Sequence, residues 1–224
     1  MRQFDAVTEM IEHFSHPERK FKLRPSRPSQ LLHLHRIALD GLSSYAGNWR
    51  PAGIEIKGSK HRPVGAYLVP EEIEHMCDYV NDNWEKSTPL HLAAYALWKL
   101  NWIHPFTDGN GRTARSFSYL LLCLRLGYRL PGSKTILAQI ARDKNPYYRA
   151  LEAADKEWES KKLDLSALEK LLADLLAEQL ASVHDQALRN FHTPNWDYAR
   201  PSSQKPHIRP RRTEIPRAPL CPLW

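Results

Sequence analysis

The sequence predicts an all-α fold with one small β-hairpin. Apolar residues recur at helical spacing along most of the chain, and prolines and glycines mark the starts and ends of these segments. Only one region, within residues 45–70, alternates with the two-residue period of a strand. The 224 residues are enough for one domain with a full core.

Four helices are expected in the first half of the chain. Two of them open with proline, which fits the first turn of a helix because its missing N–H would have no partner there. The four helices are residues 3–14, 30–42, 70–84 and 90–102.

The β-like region contains two short runs. Residues 54–57 alternate, Gly58 breaks the run, and residues 64–69 form a second run that could return alongside the first. This pattern predicts a hairpin.

One stretch concentrates polar side chains and glycines. Residues 104–115 read His-Pro-Phe-Thr-Asp-Gly-Asn-Gly-Arg-Thr-Ala-Arg. The segment that follows, 116–126, is apolar nearly all round and ends at Gly127, which predicts a helix in the middle of the protein. The turn at 108–111 therefore opens a helix.

This turn has the features of an anion site. The first N–H groups of a helix have no partner inside it, and the helix dipole places partial positive charge there. Gly109 and Gly111 allow an anion to approach the backbone. Arg112 and Arg115 lie three residues apart on one helical face, and a guanidinium suits phosphate oxygens.

His104 and Asp108 supply candidate reactive groups. The Asp108 carboxylate is a hard oxygen ligand for Mg²⁺ beside phosphates, and His104 could take a proton from an attacking hydroxyl. A plain turn or a structural histidine would explain either residue alone. Their combination within twelve residues predicts transfer from a nucleoside triphosphate.

At these residues the chain resembles the Fic family, whose motif His-x-Phe-x-Asp/Glu-Gly-Asn-Gly-Arg-x-x-Arg it matches at every fixed position. The resemblance extends from about residue 31 to about 176. It implies a Fic-fold helical bundle, here 30–190, and transfer of AMP from ATP to a Ser, Thr or Tyr hydroxyl with release of pyrophosphate. It also implies that His104 is the base, Phe106 an anchor and Asp108 the Mg²⁺ ligand, while the phosphates are held by Gly109, Asn110, Gly111, Arg112 and Arg115.

The motif fixes phosphate geometry but does not fix the nucleobase. Transfer of phosphate, UMP or another group therefore stays open, and so does a non-enzymatic module that keeps a phosphate pocket. Relatives that act as kinases usually have lysine at the position of Gly111, so glycine here favours nucleotide transfer. The intact His104 and Asp108 favour an enzyme.

The resemblance implies two further parts of the site. Residues 146–155 are similar to the family segment that closes over the nucleoside, where Tyr147 and Tyr148 would line the adenine pocket and Asp155 would reach the ribose or base. Packing in the core is the alternative role for these tyrosines. The predicted hairpin corresponds to the family's flap, which would dock the target protein through backbone hydrogen bonds.

Residues 8–13 partly resemble the inhibitory pattern Ser/Thr-x-x-x-Glu-Gly/Asn found in many Fic proteins, although His13 departs from it. The pattern implies that Glu12 pairs with Arg115 and crowds the γ-phosphate site. A packing helix with surface acids is the alternative, and a separate antitoxin chain is another source of restraint. With the linker that follows, residues 1–29 are assigned to this N-terminal unit.

Composition argues against several other functions. The net charge is +7, and residues 191–224 hold six Lys/Arg and two Asp/Glu, which leaves only +3 for the remainder. Nucleic-acid binding is therefore not indicated. No run is long and apolar enough to span a membrane. The three cysteines show neither paired spacing nor a neighbouring histidine cluster, which fits a reducing cytoplasm and does not fit a zinc site.

The C-terminal part divides into a leucine stripe and a tail. The stripe could pack on the core or pair with another chain in a homo-oligomer. Residues 191–224 are rich in proline and arginine without an apolar period, which predicts a disordered tail. The stripe consists of Leu168, Leu171, Leu172, Leu175, Leu176 and Leu180.

Overall fold

Eight α-helices and one short 3₁₀ turn form the regular structure of the residues that the computed structural model describes, namely 2–15, 24–59 and 61–192. Side chains are described for 5–13, 24–59 and 61–184. The 3₁₀ turn, Ala66–Leu68, leads directly into the third helix. In order, the helices are α1 (Arg2–Ser15), α2 (Pro28–Leu39), α3 (Val69–Asp82), α4 (Pro89–Ile103), α5 (Asn110–Leu126), α6 (Ile136–Arg142), α7 (Asn145–Glu159) and α8 (Ser166–His192).

Helices α4 and α5 form the centre of the structure. They pack against each other, α1 and α2 cover α5, and α3, α7 and α8 cover α4. Both central helices are buried on nearly all sides, as the apolar composition of 116–126 predicts. The loop between them, residues 104–109, contains the first half of the motif, and its backbone is held at both ends by core helices.

The first helix belongs to the same core. Ala6, Val7 and Ile11 are buried and contribute to the central hydrophobic cluster. The periodicity of 3–14 therefore gives a helix whose apolar face packs on α5 and α2. The linker residues 16–23, by contrast, lie outside the described part of the chain.

Local signals at several helix ends are confirmed. Pro89 is the first residue of α4, and the preceding Thr88 hydroxyl accepts a hydrogen bond from the His91 N–H at 3.1 Å. Gly127 ends α5 with a φ of 84°, a left-handed conformation that glycine adopts without strain. Helix α6 is not anticipated by the sequence analysis, although Thr135 caps it in the same way.

The expected β-hairpin is not present as paired strands among the described residues of 45–70. The N–H of Ser59 donates to Ile56 O at 3.1 Å and closes a turn there. The Arg50 guanidinium donates to Ala52 O at 2.9 Å, before the first predicted run, and to Val64 O, at the start of the second. We call residues 51–65 the flap segment.

The leucine stripe of α8 is used partly in the core. Leu168 and Leu172 are buried, Leu171, Leu175 and Leu176 pack at the edge of the core, and Leu180 is 41% exposed. Of the predicted tail, 191 and 192 belong to α8, and 193–224 lie outside the described residues.

Cys77 and Cys123 are buried free thiols, and burial raises the pKa of Cys77 to about 11. Among the described helices, none has both the length and the apolar character needed to cross a membrane.

Candidate active site

His104 sits at the C-terminal end of α4 in a left-handed conformation, with φ 53° and ψ 60°. Its backbone N–H donates to Leu100 O at 3.0 Å. Its side-chain Nδ1 lies 3.3 Å from Asn101 O. Because a carbonyl oxygen can only accept, Nδ1 carries the proton, and Nε2 is left with its lone pair free to take one.

The protonation state of His104 favours a basic role. Burial lowers the pKa of its imidazole, the hydrogen bond to Asn101 O opposes this, and the positive charge of Arg50 and the neighbouring His61 lower it further. The pKa therefore lies below its ordinary value of 6.5, and the neutral imidazole predominates at neutral pH.

Asn110 fixes the loop between His104 and α5. Its Oδ1 accepts from the Phe106 N–H at 2.8 Å, and its Nδ2 donates to Phe106 O at 2.7 Å. Phe106 is fully buried, as expected of an anchor. Since the Asn110 amide bonds the loop through both ends, its side chain is a brace for the turn, and its backbone N–H is the group left to face an anion.

Gly109 satisfies two constraints at the start of α5. Its φ is 74°, which favours glycine. A Cβ at this position would also lie 2.7 Å from Leu39 Cδ2. At Gly111 a Cβ would lie 3.2 Å from an Arg115 Nη atom, so a larger residue there would crowd that guanidinium.

His35 is a site residue that the sequence analysis does not single out. Its Nδ1 accepts from the Gly47 N–H at 2.9 Å, so Nε2 carries the proton and donates to Asp108 O at 3.0 Å. Burial lowers the pKa of this ring. In the sequence His35 resembles any histidine of an amphipathic helix, and no local signal marks it.

Asp108 lies on the open side of the turn, with its side chain 72% exposed. One carboxylate oxygen accepts from the Gly109 N–H at 2.6 Å, and the other is 3.2 Å from an Arg112 Nη atom. Within the described part of the chain, no group of three or more His, Cys, Asp or Glu side chains is placed to hold a metal ion. Asp108 therefore offers a single carboxylate beside the helix start.

A cleft of about 420 Å³ opens beside His104. It brings together His104, Gly111, Arg115, Tyr147 and Tyr148 from the predicted site, whereas Asp108, Gly109, Asn110 and Arg112 lie along the adjoining turn and do not line it. The flap segment forms another wall. The remaining lining residues are Ile56, Lys57, Gly58, Ser59, His61, Asn101, Leu151, Glu152 and Asp155.

The two tyrosines of α7 differ in exposure. Tyr147 is buried, its hydroxyl accepts from Asn101 Nδ2 at 2.8 Å, and burial raises its pKa to about 12. The Arg115 guanidinium lies 6.0 Å from the centre of its ring. Tyr148 is 49% exposed in the cleft. Tyr147 therefore packs in the core and also lines the cleft, and the adenine-binding role of both tyrosines stays a prediction.

Asp155 lies on α7 about two turns after Tyr148 and also lines the cleft. One of its carboxylate oxygens accepts from Trp98 Nε1 at 2.8 Å, and burial raises its pKa. This hydrogen bond fixes the carboxyl group at the wall of the cleft.

Glu12 is exposed on α1. Among the described contacts, it forms no ion pair with Arg115, whose guanidinium lies near Tyr147 and Gly111. The inhibitory role of Glu12 stays a prediction.

Residues 25–122 match the model of the Fic/DOC family. The chain is 37% identical over 100 residues to "Protein adenylyltransferase fic-1" of Caenorhabditis briggsae, a match that covers 44% of this chain and 19% of that protein. It is 32% identical over 132 residues to "Protein adenylyltransferase Fic" of Nematostella vectensis, covering 56% of this chain and 28% of that protein. The chain thus matches less than a third of the length of each of these relatives.

Solved structures show the same fold. Fic-1 (aa134–508) from C. elegans aligns with a TM-score of 0.64 and 23% identity, covering 84% of this chain and 51% of that one. A Fic family protein from Desulfovibrio desulfuricans G20 aligns with a TM-score of 0.61 and 23% identity, covering 87% and 54%. Residues 25–122, which contain the complete motif, are thus similar to the Fic/DOC family, and the fold is that of the two Fic structures.

Proposed function

We propose that the chain is a protein adenylyltransferase that transfers AMP from ATP to a Ser, Thr or Tyr hydroxyl of a target protein and releases pyrophosphate. One observation carries this proposal: a single cleft contains His104, whose Nε2 is free to take a proton, beside Arg115 and the start of α5. The relatives named protein adenylyltransferase support it.

In the proposed reaction, the acceptor oxygen attacks the α-phosphorus of ATP while His104 Nε2 takes its proton. The bond between the α-phosphorus and the oxygen that bridges it to the β-phosphorus breaks. Its electron pair leaves with pyrophosphate, and the target carries AMP on its hydroxyl oxygen. The neutral state of His104 supports its role as the base.

The start of α5 would hold the phosphates. Thr113 N–H bonds Gly109 O at 2.9 Å, so the N–H groups of the three preceding residues lie before the helical hydrogen-bond ladder and are available to an anion. Arg112 and Arg115 extend from the same turn and would pair with phosphate oxygens.

Asp108 would hold Mg²⁺ together with those phosphates. Mg²⁺ sites for nucleotides commonly use one or two carboxylates and complete the shell with phosphate and water, so one exposed carboxylate fits. When bound, the ion would neutralise phosphate charge. The Arg112 guanidinium beside Asp108 would then contact the nucleotide rather than the bare carboxylate.

The rest of the cleft would hold the nucleoside and the target. Tyr148 offers an exposed ring for the base, and Asp155 offers a carboxylate for a ribose hydroxyl or an exocyclic amine. The run 54–57 is not paired with another strand within the described residues, so an extended target segment could bond to its backbone.

The proposal extends to the regulation, assembly and location of the protein. Restraint would come from Glu12 or from a separate antitoxin chain. Leu180 on α8 would serve a homo-oligomer. The buried free thiols Cys77 and Cys123 support a cytoplasmic location.

A second candidate is transfer of phosphate or of another nucleotide, because the turn selects phosphates without reading the base. Intact-protein and peptide mass spectrometry after incubation with ATP and Mg²⁺ separates the two. A gain of one AMP in the wild type, absent in His104→Ala, is expected. A gain of phosphate would replace the proposal with a kinase. If neither the chain nor added candidate proteins are modified while ATP still binds, the non-enzymatic module is favoured.

A further inference from the structure

Arg50 is a buried cation bonded to backbone carbonyls. The residue is 2% exposed, and burial lowers the pKa of its guanidinium. Among the described residues it forms no ion pair with a carboxylate. Burying a guanidinium costs free energy unless its N–H groups are hydrogen-bonded. The acceptors of the Arg50 N–H groups therefore show which parts of the structure it holds.

Those hydrogen bonds join two parts of the site. Arg50 Nε donates to His104 O at 2.8 Å, and Nη2 reaches Ile103 O at 3.5 Å. The same guanidinium donates to Ala52 O at 2.9 Å and to Val64 O, which lie near the two ends of the flap segment. One planar group therefore fixes the end of α4 and both sides of the flap segment.

Neighbouring bonds continue the same pattern. The Arg50 N–H donates to Pro105 O at 2.9 Å, and His61 Nε2 donates to Trp102 O at 2.7 Å. Four consecutive carbonyls, 102–105, thus accept from Arg50 or from the flap segment. The last carbonyls of a helix lack partners inside it and attract positive charge.

We propose that Arg50 is a positioning residue, which holds the backbone of His104 and the flap segment in one arrangement so that the base faces a docked acceptor. This inference rests on the proposed function. The inference goes beyond the proposed function because it links the flap segment to the base. Loosening the flap segment would therefore displace His104. Arg50 does not line the cleft and would act through His104.

Two substitutions at Arg50 separate its geometry from its charge. Arg50→Met removes both, while Arg50→Lys keeps the charge but cannot reach four carbonyls with a planar fork. Arg142→Met is the matched control, because Arg142 is exposed at the end of α6 and lies outside the cleft.

Hydrogen exchange of the full chain without ATP gives the first readout. Faster exchange within 51–65 and at His104 is expected in both Arg50 variants, with α5 protected as in the wild type. Arg142→Met should match the wild type throughout. Unchanged exchange in Arg50→Lys and Arg50→Met would overturn the proposal, and if Arg50→Met fails to fold, Arg50→Lys decides.

Histidine NMR gives a second readout that a merely structural role would not move. Burial is the main reason that the pKa of His104 is lowered, and the positive charge of Arg50 lowers it further. Arg50→Met should therefore raise that pKa, whereas Arg50→Lys should not. His104→Ala assigns the signal. An unshifted pKa in Arg50→Met would contradict the proposed contact. The other charged or titratable groups that line the cleft with His104 are Lys57, His61, Arg115, Tyr147, Tyr148, Glu152 and Asp155.

Transfer kinetics complete the test, with automodification measured by mass spectrometry. Both Arg50 variants should bind ATP as the wild type does and lose about a hundredfold in rate, because a small misplacement of a base costs that much. A wild-type rate in both would overturn the positioning role. If the wild type modifies neither itself nor added candidate proteins, the proposed function fails, while exchange and NMR still report on the contact between Arg50 and His104.

Discussion

The imidazole ring of His35 stacks on the ring of Phe106, with centroids 3.7 Å apart and planes within 7°. The same imidazole donates to Asp108 O at 3.0 Å and accepts from Gly47 N–H at 2.9 Å. A neutral ring of one tautomer satisfies all three contacts. Helix α2 thereby holds the turn that carries the candidate Mg²⁺ ligand.

Replacing His35 should weaken this support. His35→Phe keeps an aromatic ring beside Phe106 but leaves the Gly47 N–H and the Asp108 carbonyl without their partner. We expect a loss of about 2 kcal/mol in the free energy of unfolding, measured by urea denaturation. His33→Phe is the matched control, because His33 is exposed on the same helix. Equal stability of the two variants would contradict a supporting role.

Removing the candidate base should stop transfer without preventing binding. His104→Ala is expected to lower the single-turnover rate by about a hundredfold to ten-thousandfold, because it removes the proposed general base. ATP affinity, measured by calorimetry, should be retained. His75→Ala, an exposed position on α3, is the control. Wild-type turnover in His104→Ala would exclude it as the base.

The transfer rate should depend on pH through His104. Burial and then the neighbouring positive charge hold its pKa below 6.5, so the base stays neutral at pH 7 and becomes protonated only as the pH falls further. We expect the rate to decline as the pH falls through the pKa of His104, with its midpoint below about pH 6.5. A rate that already falls between pH 8 and 7 would contradict the assignment.

Folding stability should also decrease as the pH falls. His35 and His104 both have a folded pKa below the unfolded value, so the unfolded chain binds protons first as the pH drops below about 6.5. The free energy of unfolding should then decrease by at most about 1.4 kcal/mol per pH unit for each histidine. When urea denaturation is repeated at several pH values, the free energy of unfolding of His35→Phe should decrease less per pH unit than that of the wild type.

The Asp108 carboxylate should control the metal dependence. Asp108→Ala should abolish Mg²⁺-stimulated transfer, because the nucleotide would lose its protein-bound cation. A Mg²⁺ titration of the rate measures this. Asp174→Ala, which removes an exposed acid on α8, should behave as the wild type. Mg²⁺ stimulation that survives in Asp108→Ala would place the ion elsewhere.

The restraint predicted for Glu12 has a direct test. If its carboxylate reaches Arg115 and blocks the γ-phosphate, Glu12→Gly should increase automodification with AMP. Glu9→Gly introduces the same helix-weakening residue at another exposed position of α1 and should not increase it. Equal automodification in the wild type and both variants would assign Glu12 to the surface of a packing helix.

Local sequence predicted the helices before residue 127, but not α6, because the signals of those helices lie close together in the chain. The apolar period of 116–126 and the glycine at 127 describe α5 and its end. The expected hairpin was wrong as paired strands among the described residues, since alternation in 54–57 marks a half-buried face and an exposed face but does not specify a strand partner. Arg50, outside both runs, takes carbonyls on each side of the flap segment.

The sequence by itself determined the chemistry of the turn, because His104, Asp108, the glycines and both arginines fall within twelve residues and their geometry is set by the start of one helix. Only the tertiary structure decided what surrounds that turn. His35 bonds a carbonyl 73 residues away, Arg50 one 54 residues away, and Asn101 meets a tyrosine 46 residues away. Such contacts depend on how helices pack, and no local pattern encodes them.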